Sequence, residues 1–251
     1  MNLFKADLHI HTVLSPCGDL EMSPSLIVNT AAIRGIDILG VTDHNSTKHG
    51  RLISKLAEEK GIFTLCGAEV TTREEVHCLA YFQNFDALDD FQQYLDKHLT
   101  PVKNDPKIFG YQVVVDENEQ ILEFEERLLI SSLDQGIDQV AAKVYSLGGI
   151  FIPAHINRGK FSLLSQLGFI PPELKVDAFE ITKATSPEQM RSKFPYVAKS
   201  SFITSSDAHW PDAIGSSFSM FRMENRSFTE IFRALHNIDQ RRVFPANFAT
   251  A

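Results

Sequence analysis

Two histidines lie one residue apart at the end of an apolar run, in the segment DLHIH at residues 7–11. Because successive side chains of a β-strand point to opposite faces, His9 and His11 leave such a strand on the same side. Two imidazoles on one side predict either a polar network or two ligands of one metal ion. The pair alone does not distinguish these possibilities.

Further imidazoles and carboxylates stand at the ends of other apolar runs. Buried charged groups need partners, and five strand ends that carry such residues favour a metal site over a structural network. Imidazoles mixed with carboxylates suit Zn, Mn or Fe. Their number exceeds the four ligands of one tetrahedral ion, so we expect two or three divalent ions. The donors are His9, His11, His44, Glu69, His77, His155, Asp207 and His209.

The elements that must position these donors alternate along the chain. About seven short apolar runs, from LFKADLHIH at the start to SFITSSDAHW at 201–210, are separated by amphipathic segments. This alternation is typical of an α/β fold with a parallel sheet, in which residues at the carboxyl ends of the strands meet on one rim. The length favours a closed barrel, and an open sheet remains the alternative.

Residues 86–132 interrupt the alternation. We expect a helix at 86–98, a loop with two prolines, and a β-hairpin at 111–129 that turns around Asp116, Glu117 and Asn118. This segment has no evident core of its own. We therefore interpret it as an insertion or lid within a single domain that spans residues 1–251.

Composition narrows the classes of function. A net charge of −8 disfavours stable binding of duplex nucleic acid, although bound metal ions would offset acids locally and allow a small anionic substrate. The sequence contains no run of eighteen apolar residues, so we expect no membrane span. The N-terminal residues do not resemble a secretory signal. The three cysteines do not suggest a disulfide framework, so we expect a cytoplasmic protein of undetermined oligomeric state.

The spaced motifs resemble the PHP (polymerase and histidinol phosphatase) family of metal-dependent phosphoesterases. They are DLHIHT (7–12), VTDHN (41–45), GAEV (67–70), PAHI (153–156) and SSDAH (205–209). The resemblance implies a distorted TIM-like (β/α)7 barrel, usually with a trinuclear metal centre. The resemblance also implies the metal ligands. One ion would be bound by His9, His11, Glu69 and Asp207. A second would be bound by His44 and His155, and a third by Glu69, His77 and His209.

The sequence departs from the family at the end of the first motif. Relatives often have Asp or His five or six residues after the second histidine, where Pro16 and Cys17 stand here. We expect Asp19 to complete the second ion's ligands, with Cys17 as the alternative. Asp43 is interpreted as a partner of ligands rather than a ligand, and His49, His98 and His236 as solvated residues.

These residues predict a hydrolase that cleaves a phosphate ester by attack of a metal-bridging hydroxide, without a Ser or Cys nucleophile. The expected substrate is a small phosphomonoester, or a nucleotide or short oligonucleotide phosphodiester. Arg158 and Lys183 are candidates for binding its phosphate, and a salt bridge at the rim is the alternative for each. An amidohydrolase-type enzyme that cleaves C–N or C–O bonds, and a non-catalytic metal-stabilised regulatory module, remain competing functions.

Overall fold

The computed structural model describes residues 1–246, which form eleven strands, eight α-helices and three short 3₁₀-helices. The strands are β1 (Asn2–Ile10), β2 (Ile38–Val41), β3 (Phe63–Thr71), β4 (His77–Phe82), β5 (Val113–Val115), β6 (Ile121–Phe124), β7 (Ile150–Pro153), β8 (Phe179–Glu180), β9 (Phe202–Ile203), β10 (Ser219–Met223) and β11 (Arg242–Pro245). The helices are α1 (Pro24–Ile33), α2 (Gly50–Glu59), α3 (Phe85–His98), α4 (Pro106–Phe109), α5 (Ile137–Ser146), α6 (Leu163–Gln166), α7 (Pro187–Lys193) and α8 (Phe228–Leu235).

Seven strands form a curled wall in the order β1-β2-β3-β4-β7-β8-β9. The first five belong to one sheet, and β8 and β9 pair in parallel with each other. A few backbone hydrogen bonds join the two parts. Among them, the Ile156 N–H donates to the Glu180 carbonyl, and the Ala208 N–H donates to the His9 carbonyl. These seven strands coincide with the seven predicted apolar runs, so the predicted α/β barrel-like fold is confirmed.

The strand β4 departs from the predicted parallel arrangement. It runs antiparallel to both β3 and β7, whereas β1, β2 and β3 are mutually parallel. Only five residues separate β3 from β4, and a connection this short joins antiparallel neighbours because a parallel crossover needs a dozen or more residues. As a consequence, His77 at the start of β4 lies beside Thr71 at the end of β3, on the rim where the parallel strands end.

Two strands were not anticipated from the sequence. The strand β10 pairs antiparallel with β1, and β11 pairs antiparallel with β10, so they extend the sheet beyond the barrel wall. In β10 buried and more exposed residues alternate. This short alternating pattern is a weak sequence signal beside the fully buried strands of the wall.

Apolar side chains fill the barrel below the polar rim. Leu8, Ile38, Leu65, Tyr81 and Ile152 are buried in one cluster. The wall also needs close approaches between strands. A Cβ on Gly40 would lie 2.1 Å from the Leu8 carbonyl oxygen, and one on Gly67 would lie 1.9 Å from the Ala80 carbonyl oxygen. Glycine at these positions therefore lets β2 pack closely against β1, and β3 against β4.

The predicted insertion contains α3, α4 and the hairpin of β5 and β6. It is held against the rim by Asn45, whose side-chain amide donates to the carbonyls of Leu129 (2.7 Å) and Ser131 (2.8 Å). Leu129 also shares a buried cluster with Leu14 and Leu163 of the barrel. Among the described residues, the helices are all too short or too polar to cross a membrane.

Candidate metal centre

The predicted donors converge on the rim because each lies near or after the carboxyl end of a strand or starts β4. His9 lies in β1 and His11 follows it, while His44 forms a β-bridge with Glu69 of β3. His155 and Asp207 adopt φ angles of 29° and 51°, which are uncommon for residues other than glycine. Such conformations persist where surrounding contacts hold them and concentrate at functional sites.

Four donors form the most compact group. One ligand atom from each of His9, His11, Glu69 and Asp207 lies within 4.8 Å of the others. His9 Nε2 is 3.2 Å from Glu69 Oε1 and 3.4 Å from Asp207 Oδ1, and His11 Nε2 is 3.3 Å from Glu69 Oε2. This group has the same four members that the family resemblance assigns to one ion.

Glu69 also belongs to a second group, with His44 and His77. Its Oε1 is 2.9 Å from His77 Nδ1 and 3.2 Å from His155 Nε2, and its Oε2 is 3.1 Å from His44 Nδ1. His209 instead joins His11 and His44 in a third group. His77 and His155 thus approach the same Glu69 oxygen, although His155 belongs to none of the three groups, and His209 groups with His44. The sequence analysis paired His44 with His155 and His77 with His209.

Outer partners fix the orientation of the first two histidines. His9 Nδ1 lies 3.0 Å from Glu180 Oε2, and His11 Nδ1 lies 3.0 Å from Ser15 Oγ, which itself donates to Asp43. A carboxylate oxygen can only accept, and the Ser15 proton is already committed, so both Nδ1 atoms donate. Asp43 thus contacts Ser15, which orients the proposed ligand His11. The sequence analysis expected Asp43 to support ligands rather than to bind an ion.

Glu180 was not recognised from the sequence. It is buried in β8 between apolar neighbours, and its Oε2 also accepts the backbone N–H of His155 at 2.9 Å. A buried glutamate in an otherwise apolar strand is the signal that could have identified it, because such a charge requires a partner.

Charge in the centre is strongly coupled. Burial lowers the pKa of His9, but the carboxylates of Glu180, Glu69 and Asp207 outweigh burial and hold that pKa well above its usual value. Burial raises the pKa of Glu69, but the imidazoles of His77, His9 and His44 outweigh it and hold that pKa well below its usual value. Burial lowers the pKa of His44 well below its usual value. Glu69 therefore remains ionised and needs cationic partners.

The arrangement fits divalent metal ions. With their Nδ1 atoms donating outward, His9 and His11 would, once an ion displaces any second proton, direct lone pairs from Nε2 atoms that are 3.2 Å apart. His44 Nδ1 is buried without a hydrogen-bond partner although it approaches Glu69 Oε2. Lone pairs that face one another without protons between them are stabilised by a cation, and imidazole and carboxylate donors suit Zn, Mn and Fe.

The structure separates the two candidates at the end of the first motif. The Asp19 side chain is exposed, and its Oδ1 accepts the backbone N–H of Glu21 at 2.8 Å. Cys17 instead lines the cavity above the donor groups. Neither residue belongs to the donor groups of the described chain. Position therefore favours Cys17 over Asp19, because only the cysteine faces the cavity.

His49 corrects a further expectation. It is buried rather than solvated, with Nδ1 2.6 Å from Thr12 Oγ1, and its Nε2 accepts the backbone N–H of Val115 at 3.0 Å. His49 thus connects the first motif to the hairpin of the insertion. The helical, charged sequence around it gave no sign of this, because the contact comes from a segment more than sixty residues away.

A cavity of about 570 Å³ opens above the donors. Arg158 lies in its wall and donates to Asp207 Oδ2 at 2.6 Å, with about half of its side chain exposed. Lys183 lines a smaller adjoining cavity of about 180 Å³ that also includes Arg158 and Asp207. The larger cavity is lined by Cys17, His44, Glu69, His77, Ile130, Arg158, Gly159, Lys160, Phe161, Asp207 and His209.

Known structures and sequences resemble this chain over most of its length. Endonuclease Q of Pyrococcus furiosus matches 96% of the chain and 58% of its own, with a TM-score of 0.76 and 19% identity; Endonuclease Q is also known in complex with a 27-mer duplex that carries an abasic lesion. A Bifidobacterium adolescentis protein proposed to be a metal-dependent phosphoesterase matches 81% of the chain and 87% of its own, with a TM-score of 0.59 and 19% identity.

The sequence relatives include the uncharacterized protein YqxK of Bacillus subtilis (strain 168), which is 24% identical over 99% of this chain and 65% of its own. The chain thus spans less than two thirds of YqxK and of Endonuclease Q. The family model described as "PHP domain" matches residues 7–146, more than half of the chain, including the first motif, His44, Glu69 and His77. The chain therefore belongs to the PHP domain family.

Proposed function

We propose that this protein is a metal-dependent hydrolase of phosphate esters. The observation that carries the proposal is the sharing of one buried carboxylate, Glu69, among several imidazoles: five histidine nitrogens lie within 3.3 Å of its two oxygens. A carboxylate in this position can bridge two ions. Membership of the PHP domain family supports the same function, as it supports metal dependence.

We propose two or three ions, chosen from Zn, Mn and Fe. His9, His11, Glu69 and Asp207 would hold one, Glu69 with His77 and His155 another, and His44 with His209 a third. Bound there, divalent ions would supply an activated water as nucleophile and neutralise charge on the phosphate oxygens. Glu180 and Ser15 would hold the imidazole rings of His9 and His11 in the orientation that binds an ion.

Arg158 is proposed to bind the phosphate. Its guanidinium lies at the cavity wall beside Asp207, and a planar fork of donors matches two phosphate oxygens. Lys183 is a weaker candidate, since it lines only the smaller adjoining cavity. No Ser or Cys nucleophile is required by this proposal.

The proposed substrate is a small phosphomonoester, or a nucleotide or short oligonucleotide phosphodiester. A cavity of about 570 Å³ lies within the range of small-molecule sites. The likeness to Endonuclease Q supports a nucleic-acid substrate, but this chain carries a net charge of −8, which disfavours a stable duplex complex. We also propose that the insertion and the barrel form one domain, because they share a buried apolar cluster.

A screen of phosphate esters with matched metal loading tests the proposal. Protein stripped with a chelator and then reloaded with Mn²⁺, Zn²⁺ or Fe²⁺ should hydrolyse a phosphomonoester or a phosphodiester only when loaded. Amide and lactone substrates in the same screen test the amidohydrolase-type alternative. Turnover of those substrates without any phosphate ester would reject the proposal, and metal uptake without turnover of any substrate would favour a regulatory module.

A further inference from the structure

An aromatic ring forms part of the cavity wall directly above a proposed ligand. The Phe161 ring stacks on the His77 ring with 4.9 Å between centroids and 9° between planes. Phe161 remains 41% exposed and lines the cavity. One face of the ring is therefore covered by an imidazole, and part of the remaining surface is available to a molecule in the cavity.

The backbone holds this ring in place. The Phe161 carbonyl accepts the His77 N–H at 3.0 Å, and Phe161 has a φ of 55°, which is rare for a bulky residue. The next residue, Ser162, donates from its hydroxyl to the Arg158 carbonyl at 2.7 Å and so closes the loop that carries both side chains. The loop thus presents a guanidinium and an aromatic ring to the same cavity.

The two sides of the cavity differ in chemistry. The donor groups and Arg158 suit a phosphate, whereas Phe161 and Ile130 offer apolar surface. A substrate with a sugar alcohol or another aliphatic polyol next to the phosphate would place hydroxyl groups against that apolar surface and gain little. A planar aromatic group would stack on Phe161, and stacking on an aromatic side chain is how proteins hold bases without reading their sequence.

We propose that Phe161 is a stacking platform for a nucleobase adjacent to the scissile phosphate, so that it selects nucleotide substrates. This inference rests on the proposed phosphate-ester hydrolysis and specifies its substrate class. The nucleobase can come from a free nucleotide or from the end of a single strand, which offer the same stacking surface. The competing structural role is that Phe161 only shields His77 from water.

Steady-state kinetics separate these roles. We expect Phe161→Ala to lower kcat/KM for a nucleoside monophosphate and for a short single-stranded oligonucleotide about 10- to 100-fold more than for glycerol phosphate. Phe161→Trp should preserve the nucleotide rate, whereas Phe161→Leu should not. Phe169→Ala is the matched control, because Phe169 is also an exposed phenylalanine, at 52%, but does not line the cavity. Whichever of the nucleoside monophosphate and the oligonucleotide has the larger kcat/KM in the wild-type protein shows whether the stacked base belongs to a free nucleotide or to a single strand.

A binding measurement that does not depend on turnover completes the test. Trp210 is the single tryptophan of the chain. In a Trp210→Phe background, the indole introduced by Phe161→Trp should be quenched by adenosine monophosphate and not by glycerol phosphate. An equal loss of rate on all substrates with Phe161→Ala, or recovery by Phe161→Leu, would overturn the stacking role while phosphate-ester hydrolysis stands. If no phosphate ester is hydrolysed, the proposed function fails, and the absence of quenching separately overturns the inference.

Discussion

Glu180 Oε2 accepts two hydrogen bonds, from His9 Nδ1 at 3.0 Å and from the His155 backbone N–H at 2.9 Å. One carboxylate oxygen thereby links β8 both to the residues that follow its neighbour β7 and to β1. Because it receives the Nδ1 proton, Glu180 leaves the His9 Nε2 lone pair facing Glu69 and Asp207. The Glu180 carboxylate therefore both joins parts of the barrel wall and orients His9, a proposed ligand.

Glu180→Gln tests this contact. The amide retains an acceptor oxygen but loses the negative charge that favours a bound cation beside His9, so metal affinity should fall about 10- to 100-fold. Titration of chelator-stripped protein with Mn²⁺ or Zn²⁺, followed by calorimetry, measures the change. Glu188→Gln is the matched control, since that glutamate is exposed on α7. Wild-type affinity in Glu180→Gln would mean that His9 is oriented without this carboxylate.

Glu69→Gln should have a larger effect because Glu69 is the carboxylate shared by the donor groups. We expect loss of more than one ion per chain and a fall in kcat of more than about 100-fold, above the usual effect of removing an outer partner. Elemental analysis of purified protein counts the ions, and circular dichroism checks that the barrel persists. A variant that loses only one ion would contradict the sharing of Glu69 between ions.

Cys17 and Asp19 can be separated by single substitutions. Since Cys17 lines the cavity and the Asp19 carboxylate is exposed and turned to the Glu21 N–H, Cys17→Ala should weaken one ion and Asp19→Ala should leave metal content unchanged. A thiolate ligand would also favour zinc over manganese. Competition between the two metals in both variants measures this preference. The reverse pattern would return the role to Asp19 and require the loop at 15–20 to move when metal binds.

Metal affinity should rise with pH. Without metal, Glu180, Glu69 and Asp207 hold the His9 pKa well above its usual value despite burial, so His9 carries a proton at neutral pH. An incoming ion must displace that proton, and this cost disappears as the pH rises through the elevated pKa. The same elevation stabilises the metal-free fold below the ordinary histidine pKa, a contribution that is lost as pH rises through the elevated value. Calorimetry in buffers of different ionisation enthalpy should detect proton release, and its absence above pH 6.5 would contradict a protonated His9.

The sequence indicated the barrel because the wall strands are short, apolar and bounded by polar residues, and those boundaries are where the donors stand. What it could not supply were contacts between distant segments. The pairing of His49 with Thr12 and Val115 joins three separate parts of the chain, and the burial of Glu180 depends on β1 lying beside it. Periodicity reports which face of an element is buried, and it does not report which other element covers that face. The ligand roles themselves stay predictions until metal is measured.

Arg158 provides the most direct test of phosphate binding. Its guanidinium donates to Asp207 Oδ2 at 2.6 Å while half of its side chain is exposed to the cavity, so it can hold Asp207 in place and meet a phosphate. Arg158→Ala should lower kcat/KM about 10- to 100-fold, less than the loss of a fully buried donor, because solvent screens a half-exposed charge. Arg158→Lys should restore only part of the rate, since an ammonium lacks the planar fork. Arg191→Ala is the matched control for loss of a partly exposed arginine away from the cavity.

If Arg158→Ala loses metal as well as rate, the main role of Arg158 is to position Asp207. If metal content is unchanged and KM rises, Arg158 binds the phosphate. Wild-type kcat/KM with full metal content would remove Arg158 from both roles.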